Sequence, residues 1–164
     1  KTDIKVVSAD IIRDIYLPKR IMVIAPKQGV PTLSPTLQWE ANSDTNQYEV
    51  FIWYLLSQQG RLVLAQSARI EVKRFSEEEK RVRNVGGLAP IDYYTIVDIN
   101  YAWDGRAVKL EEKDGRVISI SYTLQKQLPQ AQFYVWQVIG HDKQGRPLGD
   151  TGANSFDVWF PKAK

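Results

Sequence analysis

Apolar and polar side chains alternate along most of the chain, a period that is typical of β-strands with one buried face. Residues 48–55, YEVFIWYL, form a strongly predicted strand, and a turn at 58–61 separates it from the apolar run 62–65. Asp-Gly and Gln-Gly pairs at 114–115 and 144–145 mark further turns. The remaining predicted strands are 21–25, 36–40, 93–101, 107–111, 117–124, 133–139 and 156–160. Short strands at this spacing predict an all-β sandwich or barrel.

A single short helix is predicted after residue 76. Ser76 and Glu79 have the spacing of a capping box, in which each side chain bonds the backbone amide of the other residue. Acidic residues come first in this segment and basic residues follow, which suits the helix dipole. Gly86 and Gly87 would end the helix after about two turns, a length that is marginal without tertiary contacts.

Three of the predicted strands carry large apolar residues at every second position. Such residues lie on one face of a strand, and two sheets that turn these faces towards each other enclose a core. The inward residues predicted in this way are Leu37, Trp39, Tyr48, Val50, Ile52, Tyr134, Trp136 and Val138.

Two segments of the sequence resemble the fibronectin type III-like domains of bacterial surface and envelope proteins. The first contains Pro-Thr-Leu-x-Trp followed by Tyr-x-Val. The second contains a Leu-Pro turn, Tyr-x-Trp-x-Val, Asp-x-x-Gly and a last strand that ends in Phe, although Ser155 departs from the family spacing because it directly precedes that Phe. The matching residues are Pro35, Thr36, Leu37, Trp39, Tyr48, Val50, Leu128, Pro129, Tyr134, Trp136, Val138, Asp142, Gly145 and Phe156.

The resemblance implies an antiparallel two-sheet fibronectin type III or immunoglobulin-like sandwich. Such a sandwich needs about 100 residues, and this chain has 164. The surplus is expected in two places, an N-terminal arm over residues 1–20 and an insertion at about 70–119. The rest, residues 21–164, is then one sandwich domain. The arm is rich in apolar residues, which is not typical of a disordered tail.

The same strands have a second apolar face, on the side away from the predicted core. An antiparallel sheet that faces water on one side should be polar there. A large apolar patch indicates an interaction site, so we expect these residues to bind a protein partner or a second copy. They are Phe51, Trp53, Phe133, Val135, Ile139 and Trp159, with Leu55 beside them. The alternative is intramolecular cover by the arm or the insertion, and the arm could also add a strand to a neighbouring subunit.

Catalysis is not expected. The chain has no cysteine and a single histidine, His141, so Cys–His catalysis and a two-histidine metal site are excluded. The resemblance places His141 in a hairpin turn. No phosphate-binding motif is present, because Val85-Gly86-Gly87-Leu88 lacks the Lys-Ser/Thr of a P-loop. The number of acidic residues does not by itself exclude a mechanism with paired carboxylates. We expect no enzyme, no catalytic residues, no cofactor and no metal.

Charge and composition indicate which classes of binding partner the protein is expected to have. The net charge is only +3, and basic and acidic residues are mixed even in the most basic segment, 69–83, which disfavours nucleic acid. No apolar run is long enough to span a membrane as a helix. The resemblance implies a structural or protein-interaction module of a prokaryotic envelope or extracellular assembly. A carbohydrate-binding module is the alternative, with Trp103, in a predicted turn, as the exposed stacking residue.

Overall fold

The computed structural model describes residues 19–56, 58–85, 92–99 and 107–159. These residues form two sheets, of seven and four strands, and one helix, α1 (Glu77–Val85). The larger sheet contains β1 (Lys19–Arg20), β4 (Gln47–Leu56), β5 (Arg61–Arg74), β6 (Tyr93–Ile99), β9 (Tyr134–His141), β10 (Pro147–Asp150) and β11 (Asn154–Phe156). The smaller sheet contains β2 (Val23–Ala25), β3 (Thr36–Glu40), β7 (Val108–Lys113) and β8 (Arg116–Thr123).

Strand order follows from long-range pairing as well as from hairpins. The larger sheet runs β1-β10-β9-β4-β5-β6, with β11 also paired to β9, and the smaller sheet runs β2-β3-β8-β7. Named strands pair antiparallel except for β1, which lies parallel to β10. An all-β architecture with two sheets was predicted, and it is confirmed.

The core lies between the two sheets and includes all the inward residues predicted from the alternation, together with buried residues of other strands and loops. Trp39 on β3 and Trp136 on β9 are both fully buried, and Trp39 packs against Tyr48 with ring centroids 5.8 Å apart. Gln66 on β5 donates a hydrogen bond to the Tyr122 hydroxyl on β8 at 2.9 Å, so a buried polar contact also joins the two sheets.

The helix is capped as its sequence predicts. The Ser76 amide donates to the Glu79 carboxylate at 2.7 Å, and the Glu79 amide donates to the Ser76 hydroxyl at 3.2 Å. The capping bond from the Ser76 amide lowers the pKa of Glu79. Lys80 holds the helix to the start of β6 through an ion pair with Asp92 at 2.7 Å. The glycines expected to end the helix lie outside the described residues.

Some strands differ from their predicted bounds. β5 continues to Arg74, far beyond the predicted end at residue 65, and β10 was not predicted. The last strand was expected at 156–160, but β11 ends at Phe156. Beyond it the chain makes one parallel bridge between Val158 and Val30, and hydrogen bonds on both sides of Val30 replace a regular ladder.

The arm and the insertion fall partly outside the described residues. Of the arm, only 19–20 are described, and they form β1 against the edge of β10. Between residues 70 and 119 the chain supplies the end of β5, α1, β6, β7 and the start of β8. Much of the segment predicted as an insertion therefore lies in the two sheets.

Candidate interaction face

The outer side of the larger sheet is apolar at one end, around the β4–β5 hairpin. Register places Trp53 between Leu64 on β5 and Val135 on β9. In the next row Leu55 pairs with Leu62 and donates its amide to the Phe133 carbonyl at 3.2 Å. Together these residues form what we call the outer apolar face, namely Phe51, Trp53, Leu55, Leu62, Leu64, Phe133 and Val135.

Much of this face is accessible. Leu62 is 46% exposed and Leu64 49% exposed, while the other five side chains are half-buried. Phe51 and Trp53 stack on each other at a centroid distance of 5.8 Å and an interplanar angle of 21°. Contiguous apolar surface is a common feature of interaction sites, whereas single exposed leucines occur on any protein surface.

The other end of the same sheet face is charged. Glu49 on β4 lies between Arg69 on β5 and Ile139 on β9, and Glu71 and His141 follow in the next row. Glu49 and His141 approach to 3.2 Å between Oε1 and Nε2. The face therefore divides along the strands into an apolar half and a charged half.

The predicted site residues fall into three groups. Phe51, Trp53, Phe133 and Val135 meet in the outer apolar face, as the alternation predicts. Ile139 lies on the same side but in the charged half, in the row of Glu49 and Arg69. The third group is Trp159 and Trp103.

Trp159 is at the sheet edge and is 51% exposed. Its amide donates to the Val30 carbonyl at 2.9 Å, and Gly29 gives it room, because a Cβ at Gly29 would lie 2.8 Å from Cδ1 of the Trp159 ring. Trp103, the residue of the carbohydrate alternative, lies outside the described residues.

Sequence reasoning missed Leu62 and Leu64. Both lie in a run that was predicted as a strand, but the face of that strand was not assigned. The register between β4 and β5 shifts after Ile52, so that Ala65 is left without a partner and Leu64 comes opposite Trp53. Alternation alone does not predict where such a β-bulge lies, and therefore does not show which face Leu62 and Leu64 occupy.

The resemblance placed His141 in a hairpin turn, but this residue is the last of β9 and precedes the turn. Its Nδ1 lies 3.2 Å from the Gly145 carbonyl oxygen. In the described part of the chain, no three His, Cys, Asp or Glu residues lie together as metal ligands would. Nor does any helix in the described ranges have the length and apolarity to cross a membrane.

A scan against protein-family models matched none, and a search of curated proteins found no significant similarity.

Proposed function

We propose that the protein is a non-catalytic structural and interaction module, and that two copies associate through the outer apolar face. The observation that carries this proposal is the apolar half of the larger sheet, where leucines that are nearly half exposed surround a stacked Phe–Trp pair. Burial of such a surface is favourable by about 25 cal/mol per Å² of apolar area removed from water.

The domain type we propose is fibronectin type III or immunoglobulin-like. If β2, β3, β4, β7, β8, β9 and β10 are taken as strands A to G in order, the smaller sheet runs A-B-E-D and the larger sheet holds C, F and G side by side. That is the arrangement of immunoglobulin sandwiches. Tyr134, at the start of strand F, donates to the Pro129 carbonyl at 2.6 Å and accepts the Ala131 amide at 3.0 Å. These bonds are like those of the tyrosine corner in such domains, which supports the assignment.

A second copy suits the face because the face is complementary to itself. An interface of two identical copies around a two-fold axis pairs each residue with its counterpart reciprocally. If the axis runs along the strands between β4 and β5, Trp53 of each copy faces Leu64 of the other. The same operation sets Glu49 against the second copy's Arg69, so the charged halves attract while the apolar halves pack.

Substitution of Leu64 by Asp tests this proposal. Leu64 is half exposed, so the variant should fold as the original does, and a carboxylate at the centre of the interface should leave only monomer. Light scattering after size-exclusion chromatography of the full chain measures the mass. The matched control is Val82→Asp on α1, the same kind of change at a side chain that is 65% exposed and far along the chain from this face.

Each result has a clear meaning. A dimer for the original chain and for Val82→Asp, with a monomer for Leu64→Asp at an unchanged melting temperature, is the expected outcome. A full chain that is monomeric at every concentration would overturn the proposal. So would a Leu64→Asp variant that stays dimeric.

We also propose a location in a prokaryotic envelope or outside the cell, on the strength of the family resemblance. The absence of cysteine fits this location, because prokaryotic extracytoplasmic domains often do without disulfides. Cell fractionation with an antibody to the chain tests the location, and a protein found only in the cytosol would contradict it.

A further inference from the structure

A cleft opens between the two sheets at the end of the sandwich opposite the outer apolar face. The loop between β3 and β4, the first half of β8 and the β9–β10 turn surround it. Its volume is about 510 Å³, within the range of small-ligand sites in proteins. That volume is enough for a few amino-acid side chains.

The floor of the cleft is aliphatic. Val72 from the larger sheet and Val117 from the smaller sheet line it with half-buried side chains that pack against the core. Ile120 and Tyr48 also border the cleft, but both side chains are fully buried. The floor therefore offers contact to an apolar side chain and no exposed aromatic ring on which a sugar could stack.

Cationic side chains stand around the mouth. Arg74, Arg116 and Lys143 line the cleft, and all are exposed. Among the described side chains, neither Arg116 nor Lys143 forms an ion pair. Two exposed positive charges that no described carboxylate pairs make a local field that attracts anions.

The carboxylates at the mouth are already engaged. Asp142 accepts the amides of Arg146 and Gln144, each at 2.9 Å, and the Arg146 guanidinium at 2.8 Å. The Arg146 backbone amide is the main reason that the pKa of Asp142 is lowered, so this carboxylate stays ionised with its charge shared. Asp44 lies 3.4 Å from Lys19. The free charge at the mouth is therefore positive.

We propose that this cleft binds an extended acidic peptide segment of a partner protein, with an aliphatic side chain on the floor and its flanking carboxylates on Arg116 and Lys143. This site is separate from the self-association surface, and either can exist without the other. The aliphatic floor favours a peptide over a saccharide, and the paired cations favour acidic over neutral residues.

The probe for this site is the acetylated and amidated pentapeptide Asp-Ile-Asp-Leu-Asp. Nuclear magnetic resonance of the full chain should show shifts at the methyl groups of Val72 and Val117 and at loop amides 43–46, while the methyl groups of Leu64 stay unmoved. The neutral peptide Asn-Ile-Asn-Leu-Asn is the ligand control, and it should bind at least about tenfold more weakly. Added salt should weaken the acidic peptide, because exposed charges are screened.

Charge reversal at the mouth completes the test. The double variant Arg116→Glu and Lys143→Glu should lose about tenfold or more in affinity for the acidic peptide. The control variant, Arg61→Glu with Lys109→Glu, changes the net charge equally at exposed residues outside the cleft and should bind as the original does. The proposal is overturned if both peptides bind equally or if the charge reversal causes no loss of affinity. It is also overturned if the acidic peptide causes no shifts because the chain's own N-terminal segment fills the cleft.

Discussion

One buried hydrogen bond joins the two sheets across the core. Tyr122 is fully buried on β8, and its hydroxyl accepts the Gln66 side-chain amide of β5. Burial raises the pKa of the Tyr122 phenol to about 12, because the charged form would lose its hydration, and the Gln66 bond opposes this only in part. The bond adds a directional polar contact to the apolar packing between the two sheets.

The raised pKa of Tyr122 makes stability fall in alkali. The unfolded phenol ionises near pH 10 and the folded one near 12, so the folded state holds its proton longer. Stability is thus fully present below pH 10 and declines as the pH rises from 10 towards 12, by an amount on the order of 2 kcal/mol. Burial also raises the pKa values of Tyr48 and Tyr134, which act in the same direction.

Tyr122→Phe isolates this contribution. The variant should be less stable at pH 7 by about 1–3 kcal/mol, because the Gln66 amide stays buried without its partner. It should also lose less stability than the original chain between pH 10 and 12. Urea unfolding across this range measures both effects, and parallel pH profiles for the two proteins would refute the role given to Tyr122.

Regular strands were the part of the fold most accessible from sequence. β4 and β9 are rich in aromatic and β-branched residues and were placed to within about two residues, and the core side chains on them were identified correctly. β10 was missed because Pro-Leu-Gly-Asp is turn-like in composition and is held in its ladder by tertiary contacts. β5 was cut short because charged and small residues interrupt its apolar run, although Ala68 and Ile70 still point into the core.

The pairing of β1 with β10 depends on Gly149. A Cβ at this position would overlap the Lys19 carbonyl oxygen, although the backbone of Gly149 is not in the left-handed region. Gly149→Ala should therefore separate β1 from β10 and cost about 1–3 kcal/mol. Hydrogen exchange of the Ile21 amide, which donates to the Asp150 carbonyl at 2.9 Å, should then become faster.

Gly152→Ala is the comparison for this variant. Gly152 has a φ of 67° but open space around it, so alanine there adds backbone strain of about 1 kcal/mol without touching β1. Exchange at Ile21 that is equally slow in both variants would show that β1 does not need the glycine.

The molecule as a whole is a sandwich with two different ends. The apolar half of the outer sheet face lies at the β4–β5 hairpin, and the cationic cleft lies where β4 begins. Alternation was enough to predict an apolar outer face, because that prediction requires only the strand positions and the side of the sheet on which each residue lies. It could not predict the cleft, since that site is assembled from loops and strand ends far apart in the sequence, nor the bulge that brings Leu64 opposite Trp53.

Reciprocal charge exchange is the experiment that we place first. Sedimentation equilibrium of the full chain should give a dimer, and Glu49→Arg or Arg69→Glu alone should weaken it by about tenfold or more, because like charges then face each other. The double variant should restore the dimer, since each copy then presents the exchanged pair to the other. An original chain that sediments as a monomer, or a double variant that associates no better than either single variant, would contradict self-association through this face.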